Sequence, residues 1–203
     1  LARQSHTTVL EVDLDALAGN FNILRNRVPR GTRLAVMVKA FSYGSGAGEI
    51  AAQLQYSGAD YLMVAYADEG VELRSKGITV PIAVMNPEPE AFDQMIEFSL
   101  EPEIYSLALL RDFEAVLARG GVEGYPVHLK LNTGMNRSGL DKKDIPELLE
   151  FMEGRRTVML RSMFSHLAAA DDPAEDEFTL GQIRLFGEMT GKNNTCCFSL
   201  PCC

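Results

Sequence analysis

Seven short β-rich runs recur along this chain, each followed by an amphipathic stretch of helical length, and that alternation confines it to an α/β fold. The runs are TVLEVDL (8–14), RLAVMVK (33–39), DYLMVAY (60–66), VPIAVM (80–85), EPEIYS (101–106), PVHLKL (126–131) and VMLRSMFSHL (158–167). The stretches between and after them predict helices near 15–28, 47–57, 68–76, 88–98, 107–119, 144–153 and 175–190. Turn signals separate the units at Gly31, Gly58, Gly77, Asn86-Pro87 and Gly120-Gly121. The runs read as largely apolar on both sides, as expected of parallel strands covered on each face. This rhythm by itself suits a TIM-type (β/α)8 barrel and an open doubly wound sheet equally well. Lys39, Asn132, Arg137 and His166 fall at or just past the ends of three separate strands, which favours the barrel, whose chemistry is collected from several strand ends. A complete barrel takes roughly 250 residues. With 203 residues the expectation is an incomplete one.

A formal charge of −9 disfavours nonspecific attraction to nucleic acid or to an anionic membrane. No apolar run reaches the roughly 18 residues of a spanning helix, and LARQSHTTVLEVDL lacks the apolar centre of a signal peptide, so the expected location is cytoplasmic. The absence of an initiating Met suggests that Leu1 follows a cut inside a longer polypeptide. All four cysteines, Cys196, Cys197, Cys202 and Cys203, crowd into the last eight residues. They match neither a disulfide scaffold nor zinc-ligand spacing, and no metal is expected. The segment 191–203 is therefore read as a Cys-rich tail foreign to a domain spanning 1–190.

The densest local feature is LAVMVKAFSYGSGAGEI (34–50), an apolar strand that ends at Lys39 and passes through a Gly-punctuated loop into a helix. A lysine at a buried strand end either snorkels to water or has chemistry to perform, because desolvation favours the neutral, nucleophilic amine. Tyr43 adds a phenolic hydroxyl, and Gly44, Gly46 and Gly48 would let the backbone approach a ligand. Two further strand ends carry polar loops: HLKLNTGMNRSGL (128–140) with Arg137, and RSMFSHLAAADD (161–172) with His166. Taken alone, Arg137 reads as a surface loop residue and His166 as a structural histidine. His6 and His128 belong to no motif.

These three elements together resemble the N-terminal barrel of bacterial alanine racemases. VKAFSYGSG is similar to the pyridoxal-phosphate signature VKANAYGHG, HLKLNTGMNRSG to KLDTGMxRxG, and TVLEVDLDAL to the usual opening of these enzymes. The Phe-Ser lettering looks most like racemase modules fused behind a Mur-type ligase. The resemblance covers roughly residues 7–190. It implies that Lys39 carries pyridoxal 5'-phosphate covalently, that Tyr43 contacts its phosphate, that Arg137 serves its phenolic oxygen and the substrate carboxylate, and that His166 packs on its ring. A planar guanidinium suits the carboxylate because it offers a rigid fork of donors.

Lys130 matches a lysine that many relatives carbamylate, whose added charge would orient the arginine. Asn132 stands where the family usually has Asp. The implied activity is the interconversion of L-alanine and D-alanine for peptidoglycan synthesis by a homodimer. A noncatalytic cofactor-binding module and a related barrel-type racemase or decarboxylase are the alternatives. In relatives the first strand belongs with a second domain, which leaves about six of the eight βα units of a closed barrel. The chain alone is accordingly expected to be poorly stable, to self-associate and not to racemise alanine.

Overall fold

The computed structural model describes residues 8–191. His6 and residues 192–203, which include the four cysteines, lie outside the described residues. Six strands form one parallel sheet: β1 (Ala35–Met37), β2 (Tyr61–Val64), β3 (Ile82–Val84), β4 (Leu100–Ile104), β5 (Tyr125–Lys130) and β6 (Val158–Phe164). They alternate with α1 (Leu14–Arg27), α2 (Ala47–Tyr56), α3 (Ala67–Ser75), α4 (Phe92–Glu97, entered through a 3-10 turn at Pro89–Ala91), α5 (Leu107–Arg119), α6 (Ile145–Met152) and α7 (Asp176–Thr190).

The strand order is sequential, β1 through β6, and this separates the two architectures that the rhythm left equal. A doubly wound sheet reverses direction at a switch point. Strands added always on the same side, with crossovers of the usual right hand, put every helix on one face and curl the sheet toward a barrel. Two apolar clusters reflect that one-sidedness. The larger packs the outward strand residues Leu62, Val64, Ile82, Val84, Leu100, Ile104, Val127 and Leu129 against helix residues such as Leu54, Leu73, Phe113 and Phe186. The smaller, built from Met63, Ala83 and Phe164 with Met37 and Met85 beside them, lies on the inner face.

Two expectations need correction. Residues 8–13 form no strand: Val9 is 67% and Leu10 72% exposed, and Asp13 instead accepts from the Ala16 N–H at 2.9 Å to cap α1. A strand is stable only with a partner ladder, and no described strand lies beside this segment. Nor is the sheet apolar on both sides. Glu101 and Glu103 on β4 and His128 and Lys130 on β5 share the inner face, as the pairing of Glu103 with His128 requires.

Arg74, on α3, fixes the turns that lead into β3 and β4. Its guanidinium donates to the carbonyls of Ile78 (2.9 Å), Val80 (2.7 Å), Phe98 (3.1 Å) and Ser99 (3.1 Å). After β5 the chain loops through 131–140 and returns, with the Leu140 N–H donating to the Lys130 carbonyl at 2.8 Å and the Asn132 N–H to Leu140 at 2.9 Å. Gly139, at φ +128°, makes that return. A Cβ there would lie 2.7 Å from the Asn132 nitrogen and 2.9 Å from the Leu131 carbonyl carbon.

Replacing Arg74 by Ala leaves these carbonyls without their charged donor, and urea denaturation should show a loss of about 2–4 kcal/mol. An unchanged midpoint contradicts the role. Gly139→Ala meets rigid backbone in a region unfavourable to L side chains, and should lower stability by at least about 2 kcal/mol in the same assay. The control is Gly31→Ala, where φ is also positive at +90° but no atom lies within 4 Å of the added Cβ, so a smaller loss is expected. Equal losses at the two glycines would mean that close backbone approach is not the cause.

Candidate active site

Just past β1 the backbone does something that L-residues avoid. Ala40, Phe41, Ser42 and Tyr43 all have φ between 50° and 56°, so the chain after Lys39 makes a left-handed helical turn. Each such residue costs about 1–2 kcal/mol relative to the right-handed form. The turn is closed by its own hydrogen bonds, Ser42 N–H to Val38 at 3.1 Å and Gly44 N–H to Ala40 at 3.0 Å. From outside it is held by Glu69. One Glu69 oxygen accepts from the Ala40 N–H at 2.6 Å, and the other from Ala65 at 2.6 Å and Tyr66 at 3.2 Å. A carboxylate with three backbone donors is a strong tie, and it locks the strained turn to the end of β2. Sustained strain of this kind at a strand end is a mark of a functional position.

The turn leaves Lys39 half-buried, Tyr43 67% exposed and Phe41 54% exposed. Ser42 is buried, and its Oγ has no hydrogen-bond partner. Gly44 faces open space, whereas Gly48 lies inside α2 under Lys76, whose Cδ would be 2.4 Å from an added Cβ. Gly48 therefore serves helix packing and not the approach of a ligand.

The inner face below this rim is polar in two layers. In the upper one, Lys130 Nζ lies 2.9 Å from Glu103 Oε1, with side-chain exposures of 6% and 1%. Glu103 Oε2 is buried without a partner. Burial pushes the Glu103 carboxyl up to about 7, against the pull of Lys130, Arg137 and Lys39. One layer down, His128 joins Glu101 Oε2 at 2.8 Å and Ser162 Oγ at 2.6 Å, while the Tyr61 hydroxyl donates to Glu101 at 3.1 Å and accepts from Arg161 Nε at 3.0 Å. His128 is thus a hydrogen-bonded structural histidine.

Arg137 is exposed on the 131–140 loop, and Asn132 organises that loop. Its carbonyl oxygen accepts from Asn136 at 3.0 Å and Gly134 at 3.3 Å, and its amide donates to Asp141 at 2.9 Å and to the Asn136 side chain at 3.0 Å. An Asp in its place could not donate and would set a second carboxylate against Asp141, so the amide is suited to this loop. His166 follows β6. Partial burial, and then the charges of Arg137, Lys130 and Lys39, hold its imidazole below the usual value. Its carbonyl accepts from Gln182 at 3.0 Å, and Gln182 also reaches Thr133 at 3.3 Å. Because the Ser165 hydroxyl donates to Leu131 at 2.8 Å, Thr133 is the donor in its 2.7 Å contact with Ser165. α7 thereby ties the Arg137 loop to the His166 segment.

The strand ends thus bring Lys39, Lys130 and Arg137 within electrostatic reach of one weakly basic histidine and one buried carboxyl. Such a rim suits an anionic ligand that carries an electrophilic carbon: an amine for the carbon, cations for the charge, and a buried, unpartnered hydroxyl at Ser42. Pyridoxal phosphate has that character, and these residues fit it. Among the described residues there is no group of His, Cys, Asp or Glu side chains that could hold a metal ion, and no helix is long and apolar enough to cross a membrane. Glu69, Glu103 and Gln182 are site residues that the motifs did not single out. Glu69 occupies the third position of a capping box, a legible signal, and the i, i+2 spacing of Glu101 and Glu103 places both on one face of a strand. Gln182 carries no comparable signal.

Known proteins share this fold. A family model described as the alanine racemase N-terminal domain matches residues 12–202. The alanine racemase of Geobacter sp. (strain M21) is 35% identical over 186 residues, 90% of this chain and 49% of the relative. That of Synechocystis is 37% identical over 166 residues, 81% of this chain and 44% of the relative. Among solved structures, the alanine racemase of Clostridium difficile 630 superposes with a TM-score of 0.82 at 33% identity, covering 88% of this chain and 47% of its own. The Bacillus anthracis enzyme with bound L-Ala-P gives 0.78 at 27% identity, covering 88% and 46%. The chain spans about half the length of the relatives it matches, and it belongs to the alanine racemase N-terminal domain family.

Proposed function

We propose that this chain supplies the cofactor-binding barrel of an alanine racemase, in which Lys39 holds pyridoxal phosphate and the whole protein interconverts L-alanine and D-alanine. The observation that carries the reading is the convergence of Lys39, Lys130 and Arg137 around His166 at the strand ends, beside a strained turn that Glu69 holds in place. When bound, pyridoxal phosphate would withdraw electrons from the substrate's α-carbon and so make its proton removable.

The chain's residues perform the rest. The Lys39 amine carries the cofactor and, once released from it, moves a proton at the α-carbon on its own face. Arg137 presents its fork to the substrate carboxylate and the cofactor's phenolic oxygen, so the α-carbon is held in one orientation. His166, disposed to remain neutral by its surroundings, packs against the ring and adds no fourth cation. Tyr43, exposed at the end of the turn, serves the phosphate with its hydroxyl. Racemisation also needs a proton donor on the opposite face. The family resemblance assigns it to a tyrosine of a partner subunit's second domain, so homodimerisation is part of the reading, as are cytoplasmic location and a role in peptidoglycan synthesis.

Borohydride reduction of the intact protein with pyridoxal phosphate, followed by peptide mapping, should place the label on Lys39, and Lys39→Ala should abolish it. Label on a different lysine refutes the assignment. Arg137→Lys keeps the charge and loses the fork; turnover should fall by about 10²-fold or more while the borohydride label on Lys39 persists. Turnover at the wild-type rate removes Arg137 from the mechanism.

A further inference from the structure

We propose that Gln182 is a positioning residue of the site: its side-chain amide takes the place of the Thr133 backbone as ladder partner of the segment after β6, and so holds His166 where the Arg137 loop turns away. The inference rests on the proposed function for what His166 does, and on the hydrogen bonds alone for how His166 is held.

β5 and β6 pair in parallel as far as Lys130 and Phe164, and the Leu131 N–H then donates to the Phe164 carbonyl at 2.9 Å. Were the ladder to run on, Thr133 would be the next residue to bond across, its N–H donating to the His166 carbonyl and its own carbonyl accepting from the Ala168 N–H. The chain does otherwise. Leu131 bridges Leu140 within its own loop, and the backbone at Thr133 no longer belongs to the sheet. Gln182 of α7 fills the place. Its Nε2 donates to the His166 carbonyl at 3.0 Å, and its Oε1 accepts from the Ala168 N–H at 2.9 Å. One side-chain amide thus makes both bonds that Thr133 would have made.

The amide has one workable orientation. Its second N–H donates to Thr133 Oγ1 at 3.3 Å, Thr133 in turn donates to Ser165, and Ser165 to the Leu131 carbonyl. A flipped amide would set its oxygen against the His166 carbonyl and its NH2 group against the Ala168 N–H. Gln182, Ser165 and Thr133 are 1%, 3% and 5% exposed, so water offers little substitute for a lost bond. Phe186 and Met189, one and two turns further along α7, are buried in the core and fix the helix that delivers the amide. Gln182 acts on the ligand through His166 and does not touch the reacting atoms.

The test replaces Gln182 by Met, which keeps the length of the side chain and removes the amide. In the intact protein without cofactor, exchange of the Ala168 amide hydrogen should quicken by about tenfold or more. The His166 ring gives the sharper readout by NMR. Partial burial, and then the charges of Arg137, Lys130 and Lys39, hold its titration low, so release of the segment should move the midpoint up toward the ordinary value. His128, held by Glu101 and Ser162, is the internal control, and its ring resonances should stay in place. An unmoved His166 overturns the proposal, and so does movement of both rings, which would mean general loosening. Because Gln182→Met could fail to fold, the wild type provides a second measurement. A scalar coupling across the hydrogen bond from the Gln182 side-chain nitrogen to the His166 carbonyl carbon is expected, and a fast-exchanging side-chain amide overturns the role. In the protein loaded with pyridoxal phosphate, Gln182→Met should lower turnover by about tenfold or more while the borohydride label on Lys39 persists. Turnover at the wild-type rate contradicts the role. The spectra need no cofactor, so a protein that gives them as expected and takes up no pyridoxal phosphate refutes the functional reading alone.

Discussion

An unpaired charge inside a protein costs several kcal/mol, and a barrel interior gives it few ways to reach water. Glu101, Glu103, His128 and Lys130 all point from β4 and β5 into that interior. Their positions are mutually dependent: the register that sets Glu103 opposite His128 lets the two layers pair internally, Glu101 with His128 below and Glu103 with Lys130 above. A slip of β5 by one residue would turn His128 and Lys130 outward into the apolar helix layer and bring Val127 and Leu129 inward. Polar pairing and apolar packing therefore specify the same register. The irregularity between Val127 and His128 in the β5–β6 pairing lets β6 present Ser162 to His128 and Phe164 beside Lys130.

On this frame the rim is assembled from parts that are each unfavourable alone. The left-handed turn after Lys39 is strained, Arg137 stands on a loop that closes only through a glycine, and His166 is disfavoured from protonation by its partial burial and then by the cations around it. Each is held by a group from a different element. Glu69 of α3 ties down the turn, Asn132 and Gly139 shape the loop, and Gln182 of α7 links Thr133 to the His166 carbonyl. Preorganisation of this kind puts the conformational cost into folding, before any ligand arrives.

Much of this was legible in the residues. The six described strands were located to within a few residues because their apolar runs are punctuated by glycines, and the racemase-type barrel followed from the motifs at their ends. The segment 8–14 has the composition of a strand but no partner beside it, and composition cannot reveal a missing ladder. The polar inner face was missed because β4 and β5 alternate charged with apolar residues, and only the pairing register shows which set faces inward. The Lys130–Glu103 contact joins residues far apart in the chain, so no local motif contains it. Gly48 was assigned to the ligand side by its place in a glycine-rich string, whereas the helix that follows turns it toward Lys76. The cysteine-rich segment lies outside the described residues.

The turn at 40–43 has a stereochemical consequence. Four consecutive residues there follow the path of a right-handed helix reflected in a mirror. The preference against that path belongs to the L configuration of the α-carbon, so a residue of opposite chirality would enter it without penalty. A semisynthetic chain with D-alanine at position 40 would keep the methyl group and the N–H that Glu69 binds while relieving about 1–2 kcal/mol of strain. Glycine would relieve the same strain but enlarge the freedom of the unfolded chain, offsetting part of the gain. The backbone that presents Lys39 to its ligand is thus, over one turn, a structure of inverted hand held in place by its surroundings.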